Sequence, residues 1–149
     1  MRDSGNAYYK PPCFDLPLIS KATQFVVPMA SKSGALAKLC SALGKDGVNI
    51  IAIFAPEARG TGRMMVMVTV DDIPNARAAL KGKRIRFSEE EVLDIELDNR
   101  PGAFGELAGK LARANINIRY AYATTTAFGR ARVIVAVPSV NKALAVLVK

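Results

Sequence analysis

The run Asp98-Asn99-Arg100-Pro101-Gly102-Ala103-Phe104 places three polar side chains and a glycine directly ahead of an apolar helical stripe. This arrangement suits the capture of a small zwitterion better than bond making. A helix start offers unpaired backbone N–H groups and a partial positive charge, which favour a carboxylate. Gly102 lacks a Cβ, so a ligand can approach the backbone closely. The Arg100 guanidinium can pair with a carboxylate in a forked geometry. An ammonium group needs acceptors, and Asp98, Asn99 and Asn117 have them. Ile118 stands beside Asn117 where the next strand is expected. A shorter version of the pattern occurs earlier, at Ser33 and Gly34, with Asn49 in the place of Asn117. Each of these residues also has an ordinary structural reading. Asn99 can cap the helix or bend the loop. Arg100 can be a solvated surface cation, Asn49 and Asn117 can satisfy backbone at a turn, and Phe104 falls on the stripe that packs into a core.

The elements that must hold these residues follow from periodicity. Leu93, Ile95 and Leu97 alternate with Asp94 and Glu96, which predicts a strand over 92–97 with one buried face. Phe104, Leu107, Ala108 and Leu111 recur at helical spacing and predict a helix over 101–114, with Pro101 in its first turn. Strands over 116–124 and 130–137 follow, joined by a turn at 127–129, and then a helix over 140–148. Upstream, strands are expected at 23–29, 50–54, 64–70 and 85–87, and helices at 34–43 and 74–80. Gly44 and Gly47 end the first helix.

The two halves repeat each other. Gly34, Ala35, Leu39, Leu43, Asn49 and Ile50 match Gly102, Ala103, Leu107, Leu111, Asn117 and Ile118 at an offset of 68. Gly62-Arg63 and Val66, Val68 and Val70 match Gly129-Arg130 and Val133, Val135 and Val137 at an offset of 67. A hairpin loop can absorb the one-residue slip. The order in each copy is β-α-β-β-α-β, the ferredoxin-like split arrangement of an α+β fold. Three parts are expected: an N-terminal extension over 1–20, a first domain over 21–88 and a second over 89–149. The second copy ends before a fourth strand, which leaves an edge of its first strand bare. Either the apolar segment 13–19 or another chain is expected to fill that edge.

The run from Leu93 through Phe104, followed by Ala114-Asn115-Ile116-Asn117-Ile118, resembles the ACT domain family. The resemblance covers about residues 23–149 and is clearer in the second copy. The first copy keeps Gly34 but lacks the proline and the Asp-Asn pair. The whole is similar to a stand-alone tandem ACT protein. The resemblance implies ferredoxin-like domains side by side, with helices on one face of an antiparallel sheet. It also implies an amino acid bound as an effector at the joint between domains, with Asp98 to Phe104, Asn117, Ile118, Ser33, Gly34 and Asn49 as contacts. A regulated enzyme and self-association into a homodimer or higher oligomer follow as expected partners, and no cofactor is implied.

Composition narrows the alternatives. Half of the 149 residues are hydrophobic and 23% are charged, which is ordinary for a globular chain. Four of the +8 net charges come from Lys81, Lys83, Arg84 and Arg86, read as a solvated helix end and strand start. There is no histidine, so the commonest general base and metal ligand is missing. Cys13 and Cys40 have no metal spacing, and Cys40 reads as a buried free thiol. No apolar run is long enough to span a membrane, and a cytoplasmic location is expected. Three rival readings remain. A nucleic-acid-binding sheet is disfavoured because Asp94 and Glu96 would repel phosphates. An acylphosphatase-like enzyme finds only a weak imitation of its loop in Asn99-Arg100-Pro101-Gly102. A protein-interaction subunit without a small ligand is the closest competitor. Substituting Asp98 by Ala or Gly102 by Val is expected to weaken binding and leave the fold intact.

Overall fold

The computed structural model describes residues 18–125 and 129–148. Cys13, most of the N-terminal extension and nearly all of the turn expected at 127–129 lie outside the described residues. The chain divides into two compact units. One is Ala22–Glu91. The other combines, among the described residues, 18–21 with 92–148. The fold class is mixed α+β with antiparallel strands and four helices, as the repeat pattern implies.

The first unit contains most of β1 (Leu18–Ala30), α1 (Ala35–Lys45), β2 (Ile50–Phe54), a two-residue β3 (Glu57–Ala58), β4 (Arg63–Val70) and α2 (Ile73–Gly82). It also holds the beginning of β5 (Ser88–Asp98). Strand β4 lies between β2 and β1, antiparallel to both. It is buried from Val66 to Val70. Val66, Val68 and Val70 face the helices and are buried with Phe25, Val27, Leu39, Leu43 and Leu80. Asp72 caps α2 by accepting a hydrogen bond from the Asn75 N–H at 3.1 Å. Lys81, Lys83 and Arg84 close that helix on its exposed end.

The second unit contains the rest of β5, α3 (Ala103–Arg113), β6 (Tyr120–Thr125), β7 (Arg130–Ala136) and α4 (Val140–Leu147). Strand β7 lies between β5 and β6, antiparallel to both. Leu93, Ile95, Leu107, Leu111, Val133, Val135 and Ala143 form its core. Ser139 caps α4 through its hydroxyl, which accepts from the Lys142 N–H at 3.4 Å. The strand position next to β5 holds the start of β1. There Ile19 packs against the core. Ser20 Oγ donates to the Asp94 carbonyl at 3.5 Å and Lys21 Nζ to Asn141 Oδ1 at 3.3 Å. Of the segment 13–19 expected at this edge, residues 18 and 19 are described.

Several expected boundaries move. Residues 85–87 are not a strand: β5 begins at Ser88, and the strand expected at 92–97 is its continuation. Ile85 and Phe87 are drawn instead to the core of the first unit, where the Phe87 ring meets Phe25 edge-on at 5.5 Å. Both unit boundaries therefore fall inside long strands, at 21/22 and 91/92. Helix α3 starts after Pro101, because Gly102 has a positive φ of 83°. Strand β6 starts at Tyr120: Asn115 takes φ 60° in the turn after α3, and residues 116–119 are irregular. Cys40 is a free thiol, half-buried rather than buried, and partial burial pushes its pKa up.

Candidate functional site

The loop between β5 and α3 is built by backbone hydrogen bonds. Asn99 N–H donates to the Gly129 carbonyl at 2.8 Å, which ties the loop to the start of β7. Ala103 N–H donates to the Arg100 carbonyl at 3.3 Å, closing a tight turn through Gly102. Gly102 has φ 83° and ψ −9°, a left-handed conformation that side chains with a Cβ rarely adopt. No side chain caps α3, so Asn99 does not act as its cap.

Two ion pairs set the electrostatics. Arg130, 9% exposed, donates from one guanidinium nitrogen to Asp98 Oδ1 at 2.9 Å and from the other to the Glu96 carbonyl at 3.1 Å. The pair follows from register, because Asp98 lies opposite Arg130 across the β5–β7 ladder. Arg100 makes the forked contact expected with a ligand carboxylate, but with Glu106 of the first helical turn, at 3.0 and 2.7 Å. Hydrogen bonding to Glu106, then its charge, raises the Arg100 pKa; the same contacts hold the Glu106 carboxyl below its usual range.

Beside this loop lies a cavity of about 250 Å³. Asp98, Asn99, Arg100, Ala103 and Phe104 line it from the loop and helix. Leu97, Ala131 and Val133 line it from the inner strands, and Ala121, Tyr122 and Ala123 from β6. Phe104 is 39% exposed and outside the core, contrary to its core reading; the first turn of α3 carries it over the cavity. The strand residues of this lining are missing from the expected set. Their signal was present as the small side chains at 121, 123 and 131.

The remaining expected residues fall elsewhere. Pro101 and Gly102 shape the loop without lining the cavity. Asn117 is exposed and Ile118 packs against the core, neither of them in the lining. Ser33 and Gly34 are exposed at the start of α1 in the other unit. Asn49, also exposed, exchanges hydrogen bonds with Asp71, its N–H donating to Asp71 Oδ1 at 2.9 Å and its carbonyl accepting from the Asp71 N–H at 3.1 Å. It serves a turn. A second cavity, about 450 Å³, lies in that unit among Lys38, Ser41, Lys45 and Lys83 and contains none of the expected residues.

The strand face carrying Asp94 and Glu96 is partly neutralised. Arg132 Nε donates to Asp94 Oδ1 at 3.0 Å, and another guanidinium nitrogen lies 3.5 Å from Glu96 Oε1. Arg119 stacks at 5.9 Å over the Tyr120 ring. Among the described residues no cluster of three or more Cys, Asp or Glu is placed to hold a metal ion, and no helix is long and apolar enough to cross a membrane.

Comparison of the sequence with family models gives no match, and comparison with curated proteins gives none either. Solved structures do match. Protein BT0572 from Bacteroides thetaiotaomicron aligns with a TM-score of 0.80 and 26% identity, over 87% of this chain and 88% of that one. The ligand-free regulatory subunit of aspartate kinase from Thermus thermophilus aligns with a TM-score of 0.63 and 19% identity, over 88% and 93%. Aspartokinase III of E. coli, in complex with aspartate and ADP, aligns with a TM-score of 0.60 and 18% identity, over 93% of this chain but 33% of that one. The chain shares its fold with regulatory subunits of aspartate kinase, which are ACT-domain proteins.

Proposed function

We propose that this protein is an amino-acid-binding regulatory protein and not an enzyme, with its ligand beside the β5–α3 loop. The observation that carries the reading is the cavity in which an apolar wall meets Asp98, Asn99 and the start of α3. A carboxylate docks at the uncapped N–H groups of α3. An ammonium group is drawn to Asp98 and to the Asn99 side-chain oxygen. Arg100 reaches the ligand by exchanging Glu106 for the ligand carboxylate, a swap between two exposed ion pairs of small net cost. The resemblance of the loop to ACT domains supports this reading, as does a fold shared with aspartate kinase regulatory subunits. Self-association and a regulated enzyme partner belong to the same proposal. Ligand binding would favour one packing of the protein, and the partner would read it.

The test is a thermal-shift screen with the twenty free amino acids at millimolar concentration. A ligand at one hundred times its Kd adds roughly 2.7 kcal/mol of stability. A rise with one or a few related amino acids is the expected result. A flat response to all twenty removes the reading and leaves a protein-interaction subunit.

A further inference from the structure

The two units differ at the cavity in the size of the side chains that bound it. In the second unit Leu97 pairs across the ladder with Ala131; at the matching place in the first, Met29 pairs with Met64. Met29 and Met64 are partly buried and pack against the core of their own unit. On the adjacent strand Ala121 stands where the first unit has Ile53, each aligned with the matching valine, Val135 or Val68. One unit thus fills with its own thioether side chains the space that the other leaves open beside Ala131, while Ile53, 39% exposed, stays at the surface.

The open space is apolar away from the loop. The buried Val133 and Leu97, with three alanines, form its strand side, and Tyr122 adds a ring with one hydroxyl. A charged side chain pushed there would lose its water without a matching ion, which is costly. The volume, about 250 Å³, lies just under the range of roughly 300–1,000 Å³ typical of drug-sized ligands. It suits one amino acid and not a nucleotide. Phe104, 39% exposed, offers apolar surface that such a ligand would cover.

Resting on the amino-acid-binding reading, we propose that the ligand of this cavity is an amino acid with an aliphatic side chain: valine, leucine, isoleucine or methionine. Its side chain takes the place that Met64 takes in the other unit.

The experiment is calorimetric titration of the intact protein with those four amino acids and with glycine, threonine, lysine and aspartate. The four aliphatic ligands are expected to bind, and glycine at least about tenfold more weakly, since one methylene in an apolar pocket is worth roughly 10–200-fold. Ala131→Met and Ala121→Ile, which copy the other unit, are expected to weaken binding by about tenfold or more with the unliganded Tm unchanged. Saturable binding of lysine, aspartate or threonine, with none of the aliphatic four, overturns the aliphatic assignment while the amino-acid reading stands. Absence of binding by any amino acid overturns both. Unchanged affinity in both folded variants overturns the placement in this cavity. Should either variant fail to fold, the ranking of ligands on the unaltered protein decides.

Discussion

The loops that open α1 and α3 share a backbone and almost nothing else. Gly34 and Gly102 have φ of 85° and 83°. Ser31 N–H donates to the Gly62 carbonyl at 2.8 Å, as Asn99 N–H does to Gly129 at 2.8 Å. Lys38 N–H reaches the Gly34 carbonyl at 3.0 Å, as Glu106 N–H reaches Gly102 at 2.9 Å. The side chains then diverge. Where the second loop pairs Arg100 with Glu106, the first has two like charges, Lys32 and Lys38, and cannot form that pair. Where Arg130 lies opposite Asp98 and is buried, Arg63 lies opposite Ala30 and is exposed. Backbone geometry is thus a property of the repeat, and chemistry a property of one copy. A loop can keep its turn by a glycine and two backbone hydrogen bonds while its side chains change freely.

Four results would sharpen or break that comparison. Leu43 and Leu111 hold equivalent helix positions, both fully buried. Leu43→Ala and Leu111→Ala should each cost about 2–5 kcal/mol in urea unfolding. Markedly unequal losses would show that the two cores are not equivalent. Next in size are Gly34→Val and Gly102→Val. A Cβ at either position meets nothing within 4 Å, so the cost is backbone strain alone, roughly 1–3 kcal/mol and alike in both loops. The effect of Gly102→Val on binding must therefore be read alongside its effect on stability. A stability equal to wild type in either variant would refute the left-handed turn.

The third result separates the copies. Asp98→Ala removes the carboxylate from a buried guanidinium and should cost about 1–3 kcal/mol. Its effect on binding must then be read alongside its effect on Tm. Arg63→Ala, at the exposed counterpart, should change stability by roughly 0.5 kcal/mol or less. Equal effects would show that burial of the pair contributes nothing. The smallest effect is one of pH. Arg100 holds Glu106 below its usual pKa in the folded protein, first through hydrogen bonds and then through charge. The stability this brings is present above the unfolded carboxyl's pKa and is lost as pH falls through the lower, folded value. Glu106→Gln should slightly flatten the acid limb of the stability curve. The Arg77–Glu89 pair, at 2.7 Å, shifts Glu89 the same way and serves as the reference: Glu89→Gln should flatten the same limb. An unchanged acid limb in Glu106→Gln would place that pair's contribution at zero.

Local pattern alone determined much of this protein. The alternation at Leu93, Ile95 and Leu97 and the helical stripe through Leu107 and Leu111 are short-range signals, and the elements lie where they point. The repeat made the helix-start glycines legible, because left-handed backbone restricts residue type directly. The tertiary structure decided what local pattern cannot encode. Ile85 and Phe87 read as a strand by composition, yet the pull of the core around Phe25 places them before β5. Arg130 meets Asp98 only because a ladder brings residues 32 apart into register. Arg100 meets Glu106 only because Gly102 folds the loop back onto the first helical turn. The cavity exists because small side chains on separate strands face one another, a volume deficit that summed composition hides and only packing in three dimensions reveals.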